Sequence, residues 1–127
     1  MPGKHLFEYA VIRLVPRVER EEFINIGVIL YCASFKFLDL NYHLNEEKLK
    51  VFCRDTNLRE LRTRLRGFEK ICTGDNDGGP IAKLPIASRF RWLAASRSTI
   101  IQTSDIHPGL CVDATETLNK LMIQLVL

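Results

Sequence analysis

Two groups of side chains in this chain have the types and spacing to do chemistry. The first runs Arg13, Arg17, Glu19, Arg20, Glu21, Glu22 and Asn25. Carboxylates beside arginines serve acid/base work, phosphate binding or metal coordination when they converge on one pocket. Arg13 interrupts an apolar stretch, where an unpaired charge is expensive and needs a carboxylate or an anion. Glu8 is the expected partner, which makes a structural ion pair the simpler reading. The second group is Arg89-Phe90-Arg91-Trp92, then Arg97-Ser98-Thr99, Gln102 and His107. Arginines interleaved with aromatic rings and hydroxyls are suited to holding a phosphate and stacking a planar group. Here Trp92 is expected in the core with Leu93, whereas Arg97 and Ser98 are anion-contact candidates.

The elements that position these groups can be read from periodicity. Leu6 to Val15 is a strand ended by Pro16, and Phe23 to Cys32 is a nearly continuous apolar strand expected at the centre of a sheet. Gly27 inside it marks a bulge or a close backbone approach. Phe35 to Leu44 alternates apolar and polar, so the first three segments form an antiparallel meander. Asn45 caps a short helix through Phe52. Asn57 and Glu60 make a capping box for a longer helix, whose buried stripe is Leu58, Leu61, Leu65, Phe68 and Cys72. Its opposite face carries Arg59, Arg62, Arg66 and Lys70. A helical turn over Ser88 to Ala95, a strand from Ser98 to Thr103 and an extended piece near Leu110, forming a hairpin, come next. Asp113 and Glu116 cap a last helix lined by Leu118, Leu121, Met122 and Leu125, which closes the core or, on the second reading, docks a partner. The expected fold is α+β: one domain of residues 1–127, with an antiparallel sheet of about four to five strands packed by two to three helices.

Composition narrows the function classes. The chain has 127 residues, 46% hydrophobic and 26% charged, which is enough to build one core without disulfides or metal. No apolar run reaches membrane-span length and the start lacks a signal-peptide pattern, so a cytoplasmic protein is expected. Cys32, Cys53, Cys72 and Cys111 form no C-x-x-C pair, and all sit among apolar residues, as buried thiols do. Residues 74 to 80 have the turn residues of a calcium loop, but Leu84 stands where the twelfth-position glutamate is required. No metal and no cofactor is expected. The net charge is +3, yet between Arg54 and Ser104 ten basic residues stand against five acidic ones, and eight against ten in the rest. The middle of the chain is therefore the basic part. G-x-S-x-G, phosphate-loop and H-E-x-x-H signatures are missing, so nothing raises the prior for an enzyme.

Two stretches, Tyr9-Ala10-Val11-Ile12-Arg13 through Pro16 to Val28, and Arg89-Phe90-Arg91-Trp92-Leu93 through Arg97 to Thr103, His107 and Gly109, resemble the bacterial domain-of-unknown-function family 3037. The resemblance covers about forty positions directly and carries no activity with it. It implies a setting, because members are often encoded beside a HipA-like protein kinase, as in toxin and antitoxin modules. The leading expectation is thus a noncatalytic binding or regulatory subunit for a protein partner such as that kinase, contacting it through Arg59, Arg62, Arg66 and Lys70 or through Leu125. A nucleic-acid or nucleotide binder using Arg59, Arg62, Arg66, Arg89, Arg91 and Arg97 is the alternative. A small hydrolase or transferase using Glu19, Glu21 or Glu22 is the third reading. If the Gln102 strand lies near the Asn25 strand, the carboxylates of 19 to 22 are expected to face Arg89, Arg91 and Arg97 in one site.

Overall fold

The architecture comes from a computed structural model and is described for residues 3–52, 57–95, 97 and 99–127. Cys53, Ser98 and the start of the strand expected at Ser98 lie outside them. In chain order the elements are β1 (His5–Leu14), β2 (Ile24–Cys32), β3 (Phe37–Tyr42), α1 (Glu46–Phe52), α2 (Leu58–Thr73), α3 (Ile86–Leu93), β4 (Ile101–Thr103), β5 (His107–Cys111) and α4 (Ala114–Leu125). The fold is α+β with one antiparallel sheet of five strands. Among the described residues four helices flank it rather than two to three, because the turn read near Ser88 starts at Ile86, directly after Pro85, and becomes α3.

The sheet order is β3-β2-β1-β4, with β5 also on β1. The expected hairpin between the last two strands does not form. Instead both pair with β1, β4 opposite Ile12 to Leu14 and β5 opposite His5 to Tyr9. Ser104 joins them: its N–H donates to the Val11 carbonyl at 2.9 Å, and its hydroxyl accepts from the Val11 N–H at 2.8 Å. One strand edge is thereby filled by two short strands in line, and no buried backbone group of Val11 is left unpaired.

Alternation along β1 splits the core in two. Ile12 and Leu14 face Leu49 of α1, Leu61 and Leu65 of α2, and Phe90 and Leu93 of α3. Phe7, with Val28, Leu30 and Cys32 of β2, faces Ala114, Leu118 and Met122 of α4. The last helix therefore closes a second core layer, over β2 and β3. The register slips by one residue between Ile12 and Arg13, and Gly27 sits at that bulge. A methyl group on Gly27 would stand 2.5 Å from the Asn41 carbonyl oxygen, so the glycine is required by close approach of β3. Asn57 and Asp113 each accept from the N–H three residues on, as the capping pattern demanded. No helix among the described residues is long and apolar enough to cross a membrane.

Candidate functional site

The basic residues separate into those used internally and those left over. Arg89 extends from α3 to the end of α2, where one guanidinium nitrogen donates to the carbonyls of Ile71 (3.1 Å) and Cys72 (2.9 Å). Arg97 folds back on the end of α3 and donates to the carbonyls of Leu93 (2.7 Å), Trp92 (2.7 Å) and Ala95 (3.3 Å). The last carbonyls of a helix have no intrahelical donor and carry its negative dipole end, so a guanidinium is a fitting cap. Two arginines expected to contact an anion are thus committed to helix ends. Burial holds the Arg97 guanidinium below its ordinary pKa.

The face of α2 is divided in the same way. Arg62 pairs with Glu46 of α1 at 2.7 Å, and Arg64 with Glu60 at 3.0 Å. Neither Arg59, Arg66, Lys70 nor Arg91 joins an ion pair among the described residues. Arg66 and Lys70 line a groove of about 660 Å³ between α2 and the α3–β4 segment, together with Arg64, Arg97, Phe68 and Trp92. Asp77 is the one carboxylate lining it among the described residues. Trp92 is not the core anchor expected. Phe90 and Leu93 take the buried face of α3, and Trp92, two residues past Phe90, turns outward and is 37% exposed. Its ring meets Phe68 edge to face at 6.3 Å, and the Arg97 guanidinium lies over both rings, 4.7 Å from Trp92 and 5.0 Å from Phe68. Beside the groove, burial and the neighbouring Glu69 carboxylate push the Tyr42 hydroxyl up to about 12.

The first constellation does not become a cluster of acids and arginines. Arg17, Glu19, Arg20, Glu21 and Glu22 are exposed around the turn Val18–Arg20, and Glu22 is held by Arg20. No ion pair among the described residues joins Glu19, Glu21 or Glu22 to Arg89, Arg91 or Arg97. The expected Glu8–Arg13 pair fails for a geometric reason. Glu8 is opposite Tyr31, which stacks on Phe90 of the α3 side, whereas Arg13, an odd number of residues away, points to the α4 side.

What the strand pairing does bring together is a row from both stretches of the sequence. Arg13 stands opposite Asn25 on one side and Gln102 on the other, and Tyr9 stands opposite His107. The Arg13 guanidinium lies 4.0 Å over the Phe23 ring, and its Nε is buried with no hydrogen-bond partner. Asn25 donates from Nδ2 to the Leu125 carbonyl at 3.1 Å, and its Oδ1 is buried and unpartnered. Gln102 donates to the Thr99 carbonyl at 2.9 Å. The rings of Tyr9 and His107 are 5.4 Å apart. Sequence reasoning missed Tyr9 and Phe23, although the even spacing of Tyr9 from Arg13 along the strand gave their shared face. Leu125, proposed for partner contact, is instead half-buried against the α4-side core.

Cys32, Cys72 and Cys111 are buried free thiols, and burial raises Cys72 to about 12. No group of three metal-ligating side chains occurs among the described residues. The Asp75 side chain is used within its own loop, accepting from the Asp77 N–H.

The model of the family described as Protein of unknown function (DUF3037) matches residues 9–126, nearly the whole chain. The chain belongs to that family. In this DUF3037 chain the matched range includes both the groove and the Arg13 row. Among the curated proteins and the solved structures, nothing matches.

Proposed function

We propose that this DUF3037 domain is a noncatalytic binding subunit that engages a protein partner through the groove between α2 and α3, taking up an acidic segment of that partner. The observation that carries the reading is the lining of the groove: among the described residues, Arg66 and Lys70 have no ion-pair partners, Trp92 is half-open and Asp77 is the single carboxylate. An aromatic anchor with a cationic rim is the usual make-up of a protein-binding hot spot. The partner we name is a HipA-like kinase, following the family resemblance, in a setting like a toxin–antitoxin or defence module.

Nucleic acid fits the same surface less well. Of the six arginines on which that reading depends, Arg89 and Arg97 cap helices and Arg62 is paired with Glu46. The Trp92 and Phe68 rings, the natural stacking platforms, already carry Arg97. The exposed position of Glu19 and Glu21, and the pairing of Glu22 with Arg20, support a noncatalytic role.

Calorimetric titration of the domain with a HipA-like kinase tests the reading. Arg66→Glu with Lys70→Glu, and separately Trp92→Ala, are each expected to weaken association roughly tenfold or more. Unchanged affinity in both variants rejects the groove as the interface. Binding of single-stranded RNA that falls steeply with added salt would replace the protein reading with the nucleic-acid one.

A further inference from the structure

The helix side of the sheet is covered at one end only. Ile12 and Leu14 of β1 lie under α1, α2 and α3, and Tyr31 of β2 stacks on Phe90. Towards the start of β1 the same side carries Leu6, directly opposite Leu110 of β5, and neither leucine belongs to the helix-side core. Leu6 is 61% exposed, Leu110 65%, and Val112, the next residue on that side of the chain, 66%. Side chains directly opposite on neighbouring strands stand about 5 Å apart, so the two leucines form one apolar surface rather than two scattered exposures. Exposed Pro108, opposite Glu8, continues it along β5.

The charges at the ends of this surface say what covers it. Lys4 and Glu8 stand two residues to either side of Leu6, and all three line one shallow cleft of about 350 Å³. Neither charge joins an ion pair among the described residues. Along β1 this side therefore runs cation, leucine, carboxylate, with Val112, Leu110 and Pro108 beside them on the antiparallel β5. A two-fold axis lying across the strands at Leu6 and Leu110 turns that pattern onto itself. Each leucine then meets its own copy, Val112 meets Pro108, and Lys4 meets Glu8, twice over. Stacked sheets lie about 10 Å apart, a gap that a lysine and a glutamate side chain span together. The same rotation carries the helices over Ile12 and Leu14 to opposite ends of the stack. Pairing through the open edge of β5 is disfavoured, because Pro108 has no N–H to give.

We propose that this face binds a second copy of the chain: the β1–β5 halves of two sheets stack face to face about a two-fold axis, with Leu6 and Leu110 at the centre and Lys4 paired across the axis with Glu8. Removal of water from the leucines supplies the attraction, and the two charge pairs fix the orientation. The surface is small, so a dimer that dissociates at about 10–100 µM is expected. It shares no residue with the lining of the α2–α3 groove and leaves that groove free.

Sedimentation equilibrium of the whole chain, from about 5 µM to about 1 mM, is the test. The parent is expected to pass from monomer to dimer within that range. Leu6→Lys with Leu110→Lys is expected to stay monomeric throughout, with circular dichroism and urea unfolding close to those of the parent, because both side chains are exposed. Lys4→Glu alone and Glu8→Lys alone each set like charges face to face at two places, and each should weaken the dimer roughly fivefold or more. Combined in one chain, the two exchanges restore opposite charges and should bring dissociation back to within about twofold of the parent. Arg66→Glu with Lys70→Glu is expected to change none of this, which keeps the test separate from that of the groove. The proposal is overturned if the parent stays monomeric, if the dimer survives the paired leucine substitutions, or if combining the charge exchanges fails to recover what each one loses.

Discussion

Arg89 and Arg97 on one face of this sheet and Arg13 on the other are held in different ways. On the α2–α3 side, Arg89 and Arg97 are consumed by five donor contacts to helix-end carbonyls, and Arg62 and Arg64 by glutamates. On the α4 side, Arg13 has an aromatic ring beneath it and no acid in partnership among the described residues. A guanidinium in the first setting is part of the fold. In the second it rests on an aromatic ring instead, and charge density along the sequence does not tell the two apart.

The comparison can be broken by substitution. Phe90→Ala should have the largest effect, because Phe90 is 2% exposed at the centre of the helix-side core and stacks on Tyr31 at 5.2 Å. A loss of about 3–5 kcal/mol is expected in urea unfolding. Arg89→Met leaves the Ile71 and Cys72 carbonyls without their donor, and should cost about 1.5–3 kcal/mol by the same measurement. Arg13→Met should change stability by less than about 1 kcal/mol, since loss of the Phe23 contact is offset by removal of an uncompensated charge. Equal losses at Arg89 and Arg13 would abolish the distinction between the two faces. The smallest effect concerns Tyr42, whose hydroxyl is held up to about 12 against an ordinary 10.0 by burial and Glu69. The folded form then keeps a proton that the unfolded form releases, so this contribution is intact below pH 10 and lost as pH rises from 10 towards 12. Alkaline unfolding curves of Tyr42→Phe should be flatter than those of the parent through that window.

Much of the fold was legible because its signals are local. Continuous apolarity in Ile24 to Cys32 placed β2 centrally, Gly27 announced the close approach of β3, and the Asn57–Glu60 and Asp113–Glu116 pairs located both capped helices. What failed were statements about which distant groups meet. The in-line arrangement of β4 and β5 depends on β1 offering a long open edge, a property of the assembled sheet. For the site, residue types pointed to Arg13, Asn25, Gln102 and His107, and pairing with β1 does bring them onto one face. The capping roles of Arg89 and Arg97 were invisible, because an arginine that caps a helix and one that rests on an aromatic ring look the same in sequence.

The splice at Ser104 divides responsibility for position along β1. Each of the two short strands is aligned by its own contacts, β4 against Ile12 to Leu14 and β5 against His5 to Tyr9. Inserting or deleting one residue at 105–106 would therefore invert β5 alone, swapping Gly109, which lies against the Phe7 ring, for a neighbour with a side chain that has no room there. Length variation in that three-residue joint is thus far less tolerable than an ordinary surface connection would suggest, even though Asp105 and Ile106 are themselves exposed.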